Sequence, residues 1–226
     1  GEPLRVPRTR VRSSHYADGV SEAGVFIAFE GGEGAGKSSR ALALAGRLRA
    51  AGYEAVLTFE PGDSRIGRQI RDILLDVTND GLDPRAEALL YAADRAEHVA
   101  SVVRPALDRG AVVITDRYVD SSIAYQGIAR GLGAETIAEL SRFATEGLLP
   151  DLTILLDVPP SVGRRRNQGT ADRLETEGDD FHVSVRAAYL ARADTRPERY
   201  VVVDATLPAE HVDAAILDGV KKLGLL

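Results

Sequence analysis

Short apolar runs recur along the chain, separated by longer stretches in which apolar positions return every three or four residues. The runs are "GVFIAF" from Gly24, "EAVLTF" from Glu54, "AVVIT" from Ala111, "LTILLDV" from Leu152 and "YVVVDA" from Tyr200. Each is short, rich in branched apolar residues and nearly continuous, which is the signature of a strand buried on both faces of a parallel sheet. Between them, "KSSRALALAGRLRAAG" places Leu42, Leu44, Ala45 and Leu48 at helical spacing, with Gly52 as its stop. "DPRAEALLYAADRAEHVASVVRPALDRG" opens with Asp83 as a cap and Pro84 in the first turn, and Pro105 is expected to kink or split it. "AETIAELSRFATEG" and "AEHVDAAILDGVKKLG" complete the helices. Strands alternating with helices predict an α/β architecture of three layers, a five-stranded parallel sheet with helices on both faces. Ligands of such sheets bind beyond the carboxyl ends of the strands, so chemistry is expected just after the first four runs.

Composition narrows the reading only a little. The 226 residues suit one domain with a sizeable core. No apolar run approaches the length of a membrane span. Cysteine is absent, which excludes disulfides and thiolate metal sites and leaves the compartment open. The net charge of −6 argues against a surface that coats nucleic acid, so an anionic ligand must be met by local arginines. Residues 1–23 have no period and mix Pro, Arg, Ser and Gly, and they read as a flexible leader or linker before a domain spanning 24–226. With Gly1 first and no methionine anywhere, the sequence is expected to be a trimmed form or a piece of a longer product.

The first run ends in Gly31-Gly32-Glu33-Gly34-Ala35-Gly36-Lys37-Ser38, followed by Ser39, which fits the phosphate-loop pattern G-x-x-x-x-G-K-[ST]. Glycines let backbone N–H groups turn inward onto phosphate oxygens, and the helix that follows adds its positive end. Lys37 would carry charge to the outer phosphates and the Ser38 hydroxyl would serve Mg²⁺. A nucleoside triphosphate is thus expected here, but the loop does not say what the triphosphate is for.

Three further segments bear on that. "FEPGDSRIGRQIR" follows the second strand, "LLYAADRAEH" puts Tyr91 and Arg95 four apart on one helical face, and "TDRYVDSSIAYQG" follows the third strand. Together with the loop, and with "PDLTILLDVPP", "DRLE" and "DAT" further on, they resemble the bacterial thymidylate kinases over residues 25 to about 206. The resemblance implies the P-loop nucleoside monophosphate kinase fold, an ATP-dependent transfer of phosphate to dTMP in dTTP biosynthesis, Mg²⁺ as cofactor, a cytoplasmic location and a homodimer packed through helices such as 84–100. It assigns Arg117 and Arg71 to the dTMP phosphate, a role the guanidinium fork suits. Asp116 is given either the metal's hydration shell or the orientation of Arg117. Tyr91 resembles the ring stacked on thymine, Arg95 a donor to its exocyclic oxygen, and Ser122 and Gln126 readers of the base edge. Tyr125 resembles the residue that excludes a ribose hydroxyl. Glu33 resembles the carboxylate near the sugar 3′-hydroxyl and the metal's waters, and Glu60 a further carboxylate of the acceptor site.

Residues 163–178 look like a short arginine-rich lid. The variable loop positions, Gly34 and Ala35, carry no cation, so the resemblance implies a lid arginine at the transferring phosphoryl group. Arg165, Arg166 and Arg173 are the candidates, with stacking on adenine as an alternative for Arg166. Asp63 departs from the family pattern E-P-G-G and would repel a phosphate unless it points away or pairs with Arg65. His15, His98, His182 and His211 lack metal-ligand spacing and read as structural or surface residues. Two alternatives stay open: a kinase of another small nucleotide or nucleoside, and a nucleotide-binding module without catalysis.

Overall fold

The computed structural model describes residues 24–167 and 172–226. The leader, with His15, and lid positions 168–171 lie outside the described residues. Five strands, β1 (Val25–Glu30), β2 (Ala55–Phe59), β3 (Val112–Asp116), β4 (Leu152–Asp157) and β5 (Tyr200–Asp204), form one parallel sheet in the order β2-β3-β1-β4-β5. All five coincide with the apolar runs of the sequence.

Alternation along β1 divides the core in two. Val25, Ile27 and Phe29 face one layer, where they meet Ala41, Leu44, Ala45 and Leu48 of α1 (Lys37–Ala50) and Val212, Ile216 and Val220 of the C-terminal helix Ala209–Lys221. Phe26 and Ala28 face the other, against Ala88, Val99, Val103 and Ile137. A strand sandwiched this way needs apolar residues at every position, which is why the runs are continuous. Of the four residues expected to form the apolar stripe of α1, Leu42 does not; it is exposed, and Ala41 takes its place.

The long helical segment after Asp83 is split as Pro105 requires. After α2 (Arg65–Leu75) comes α3 (Pro84–His98), in which the Asp83 side chain accepts the Arg85 N–H at 2.8 Å. A wider π-helical turn, Val99–Val103, then leads into α4 (Arg104–Asp108), so that Pro105 sits in a first turn and blocks no hydrogen bond. Helices α5 (Val119–Ser122), continued as a π-helical stretch Ile123–Ala129, α6 (Ala134–Thr145), α7 (Pro160–Arg166), α8 (Asp179–Asp194) and α9 (Ala209–Lys221) complete the chain. The periodicity reading had no helix at α2 or α8. In α8 the apolar positions are interrupted by Asp179, Arg186 and Arg192, which pair with Arg164, Asp157 and Asp120.

The carboxyl ends of the central strands are in register. Phe29 of β1 and Phe59 of β2 both stand beside Asp116 of β3. The loops after these three strands therefore open onto one crevice.

Candidate active site

The loop after β1 is a backbone cradle. Gly31, Gly34 and Gly36 have φ of 139°, 66° and 88°, values that L side chains rarely adopt, and Gly36 leads directly into α1. Lys37 is buried and donates to the Gly32 carbonyl at 2.9 Å. Burial, with Arg117 nearby, lowers its pKa. Ser39 is exposed in the first turn of α1. Ala35 turns its methyl into the core, and a Cβ on Gly34 would meet the Gly163 carbonyl oxygen at 2.1 Å. Neither position could carry a cation in this packing, because α7 lies with its backbone against the loop.

Beside the cradle, the Ser38 hydroxyl donates to Asp116 Oδ2, while Asp116 Oδ1 is buried with no partner among the described residues. A hydroxyl and a carboxylate with a spare oxygen, at the mouth of a phosphate cradle, are the donor set of a hydrated divalent cation rather than of an all-protein metal cage. Consistently, no group of three or more His, Asp or Glu among the described residues could hold a metal alone.

Next to Asp116 the chain takes an unusual step. Arg117 has φ 72°, a left-handed conformation that costs on the order of 1–3 kcal/mol in a non-glycine residue. The surroundings fix it. Its N–H donates to the Phe29 carbonyl at 2.9 Å, its carbonyl accepts from Thr115 at 2.9 Å, and Glu30 accepts the following Tyr118 N–H at 2.9 Å. Glu30 also accepts from the Ser121 N–H (3.2 Å), the Ser121 hydroxyl (2.6 Å) and the Tyr189 hydroxyl (3.1 Å). Burial, with Asp120 nearby, lifts the Glu30 carboxyl to about 7. The turn throws the Arg117 guanidinium onto Glu33, the Gly31 carbonyl and the face of the Tyr125 ring. Burial pushes the Glu33 carboxyl up, but Arg117, helped by Lys37, outweighs it and holds the group at about 2. The Tyr125 hydroxyl donates to the same carboxylate at 3.1 Å.

A cavity of about 340 Å³ runs from this point into the molecule. Glu33, Lys37, Ser38, Glu60, Arg71, Tyr91, Arg95, Asp116, Arg117, Ser122, Tyr125 and Gln126 all line it. These residues come from five separate segments of the chain. Arg71 rests its stem on Gly62, whose φ of 116° and missing side chain make the room, and it donates to the Pro61 carbonyl at 2.7 Å. Tyr91 is half-buried at the wall. Arg95 is more committed than the sequence suggests. Its guanidinium donates to Glu60 (2.8 Å), Ser122 (3.1 Å), Ser141 (3.4 Å) and the Tyr118 carbonyl (3.0 Å), four of its five N–H groups. Glu60 is also bonded to His98, at 2.8 Å. His98, read as structural, is buried between Glu60 and Thr58. Asp63 does not line the cavity and accepts the Thr58 hydroxyl at 2.6 Å; its partner is this threonine and not Arg65.

The lid arginines go to different places. Arg166 is exposed and donates to the Ala205 carbonyl at 2.8 Å, beside β5, and Arg165 is exposed. Arg173 is not brought to the phosphate loop. It is buried, paired with Glu87 at 2.6 Å and bonded to the Leu74 carbonyl at 2.9 Å, because Glu87 is the buried carboxylate within its reach. Instead, Arg164 and Arg186 line a small hollow with Gly32 and Glu33. Arg164 pairs with Asp179 and Arg186 holds Asp157 through both oxygens, at 2.7 and 2.8 Å. Sequence reasoning missed both. Arg164 sat in plain view in the basic run, but nothing in the sequence said which arginine of the run stands beside the phosphate loop.

Comparison with known proteins agrees with this geometry. Residues 29–216 match the family model described as thymidylate kinase. The chain is 56% identical over 196 residues to a thymidylate kinase of Clavibacter michiganensis, covering 85% of this chain and 92% of that protein. It is 53% identical over 194 residues to one from Thermomicrobium roseum (84% and 91%), and 48% identical over 203 residues to one from Bifidobacterium longum (88% and 98%).

Proposed function

Because the chain belongs to the thymidylate kinase family, we propose that it transfers the γ-phosphoryl group of ATP to dTMP, giving ADP and dTDP. One observation carries the reading. A phosphate cradle with Lys37 and Ser38 opens into a pyrimidine-sized cavity lined by Arg71, Tyr91, Arg95, Arg117, Ser122, Tyr125 and Gln126.

The backbone of 31–36 and Lys37 bind the ATP phosphates. Arg117 and Arg71 take the dTMP phosphate, Tyr91 stacks on the base, and Ser122, Gln126 and the one uncommitted N–H of Arg95 meet its edge. Tyr125, fixed by Glu33 and Arg117, closes the space at the sugar. A monoester oxygen is already anionic, so the attack needs no strong base, and catalysis is positioning and charge neutralisation. A magnesium ion, held by Ser38 and through water by Asp116, would neutralise the outer phosphates when bound. Arg164, Arg165 and Arg166 stay at the exposed end of the lid, and Arg164 and Arg166 would exchange Asp179 and the Ala205 carbonyl for the triphosphate, whereas Arg173 is buried on Glu87. Closure of the lid would exclude water from the transfer. We place the reaction in the cytoplasm. A homodimer through α3 is part of the reading, supported by exposed Leu89 and Phe143 on α3 and α6; a light-scattering mass tests it.

The deciding experiment couples ADP release to dTMP, dUMP, UMP, dCMP and thymidine at equal concentration. Fast turnover with dTMP is expected. Turnover confined to thymidine, or to none of the five, would overturn the assignment.

A further inference from the structure

Gln126 lies 1% exposed at the cavity wall, and its side-chain Nε2 donates to Glu87 Oε1 at 2.8 Å. Glu87 is itself fully buried and makes no contact with the cavity. Its two oxygens sit between two guanidinium groups: Arg173 from the lid at 2.6 Å, and Arg130 at 3.3 Å to each oxygen. A carboxylate so placed accepts hydrogen bonds and has none to give. The Gln126 amide therefore has one allowed orientation. Turned over, its carbonyl oxygen would face an anionic oxygen in a dry interior, two acceptors with no proton between them.

That matters because thymine and cytosine differ by reversal of one pair of groups. Along the edge, thymine shows N3–H and then a carbonyl oxygen; cytosine shows a bare N3 and then an amino group. A glutamine free to turn over serves both orders, whereas a fixed one serves only one. We propose that Glu87 is a specificity-determining positioning residue: by locking the Gln126 amide it sets the donor–acceptor order read by the cavity, and so selects thymine over cytosine. The same carboxylate ties that lock to the lid through Arg173. This rests on the reading of the cavity as the dTMP site.

The test compares kcat/KM for dTMP and dCMP in the wild type, in Glu87→Gln and in Gln126→Met. A glutamine at 87 can donate or accept, which frees Gln126 to turn. Glu87→Gln also leaves Arg173 without its counter-ion, so the charge-balanced pair Glu87→Gln with Arg173→Gln is measured beside it; Arg130 keeps Glu177 at 2.6 Å. The dTMP/dCMP ratio is expected to fall by roughly tenfold to a hundredfold in both Glu87 variants. The fall should come from a higher KM for dTMP and an absolute gain with dCMP, which a merely damaged enzyme would not show. Gln126→Met should lose the same discrimination while both guanidinium partners of Glu87 stay in place. A folded Glu87 variant that keeps the wild-type ratio, or loses both substrates in equal proportion, overturns the inference, as does a Gln126→Met variant that keeps the ratio. If neither Glu87 variant folds, the residue serves the fold and the inference falls. A wild type inactive on dTMP would instead refute the function itself.

Discussion

Glu30 gives the sharpest quantitative prediction. It is the last residue of β1, 1% exposed, and burial lifts its carboxyl from an ordinary 4.5 to about 7. The folded state therefore holds this proton more tightly than the unfolded chain does. Between those two values the folded protein binds more protons, so stability falls as pH rises, and the loss levels off above the folded value. With these two constants, raising the pH from about 5.5 to about 8.5 removes about 2 kcal/mol through Glu30 alone. Glu30→Gln has nearly the same shape and cannot ionise. Its amide oxygen can still accept the N–H groups of Tyr118 and Ser121, and the hydroxyls of Ser121 and Tyr189 can reorient to meet its NH₂. Urea unfolding of both proteins, at one protein concentration and at both pH values, reads the difference. The wild type should lose about 2 kcal/mol more than the variant between the two conditions. Asp94, also buried and raised to about 7 mainly by burial and then by Glu60, adds a slope of the same sign to both proteins and cancels in the comparison. Parallel pH dependence in wild type and Glu30→Gln would show that the group ionises normally and that its burial is not what raises it.

Other outcomes can be checked in the ADP-release assay. Lys37→Ala should lower turnover by about 10²–10³ with circular dichroism unchanged, and near-normal turnover would sink the mechanism. Arg117→Lys keeps the charge but loses the planar fork that reaches Glu33, Gly31 and the Tyr125 face together; KM for dTMP should rise about tenfold or more. Gly163→Ala puts a methyl 2.1 Å from the Glu33 carbonyl oxygen, so α7 must lift off the phosphate loop. Turnover should drop well before dTMP binding does, and an unchanged kcat would mean that the contact is dispensable.

The sheet and the phosphate loop were legible in the sequence because each depends on local rules. Short continuous apolar runs between helical segments are what the strands of a covered parallel sheet require, and a glycine-rich turn between such a strand and a helix has few other uses. The residues that the motifs single out are gathered by the fold around one cavity. What no local rule contained was how each side chain is occupied. Arg173 and Arg164 belong to one basic run, yet one is drawn to buried Glu87 and the other stays beside Gly32. Arg95 reads as a base contact but gives four of its five donors to the protein. Asp63 reads as a hazard to a phosphate and instead accepts the Thr58 hydroxyl. Such assignments depend on which oppositely charged or hydrogen-bonding group is brought within hydrogen-bonding distance, for Arg95 and Arg173 from tens of residues away, a choice made by strand order and helix packing. Glu30 and Glu87 make the division plain: in sequence they are one acidic residue after a strand and one on a helix, and only the folded chain surrounds them with the groups that give them work.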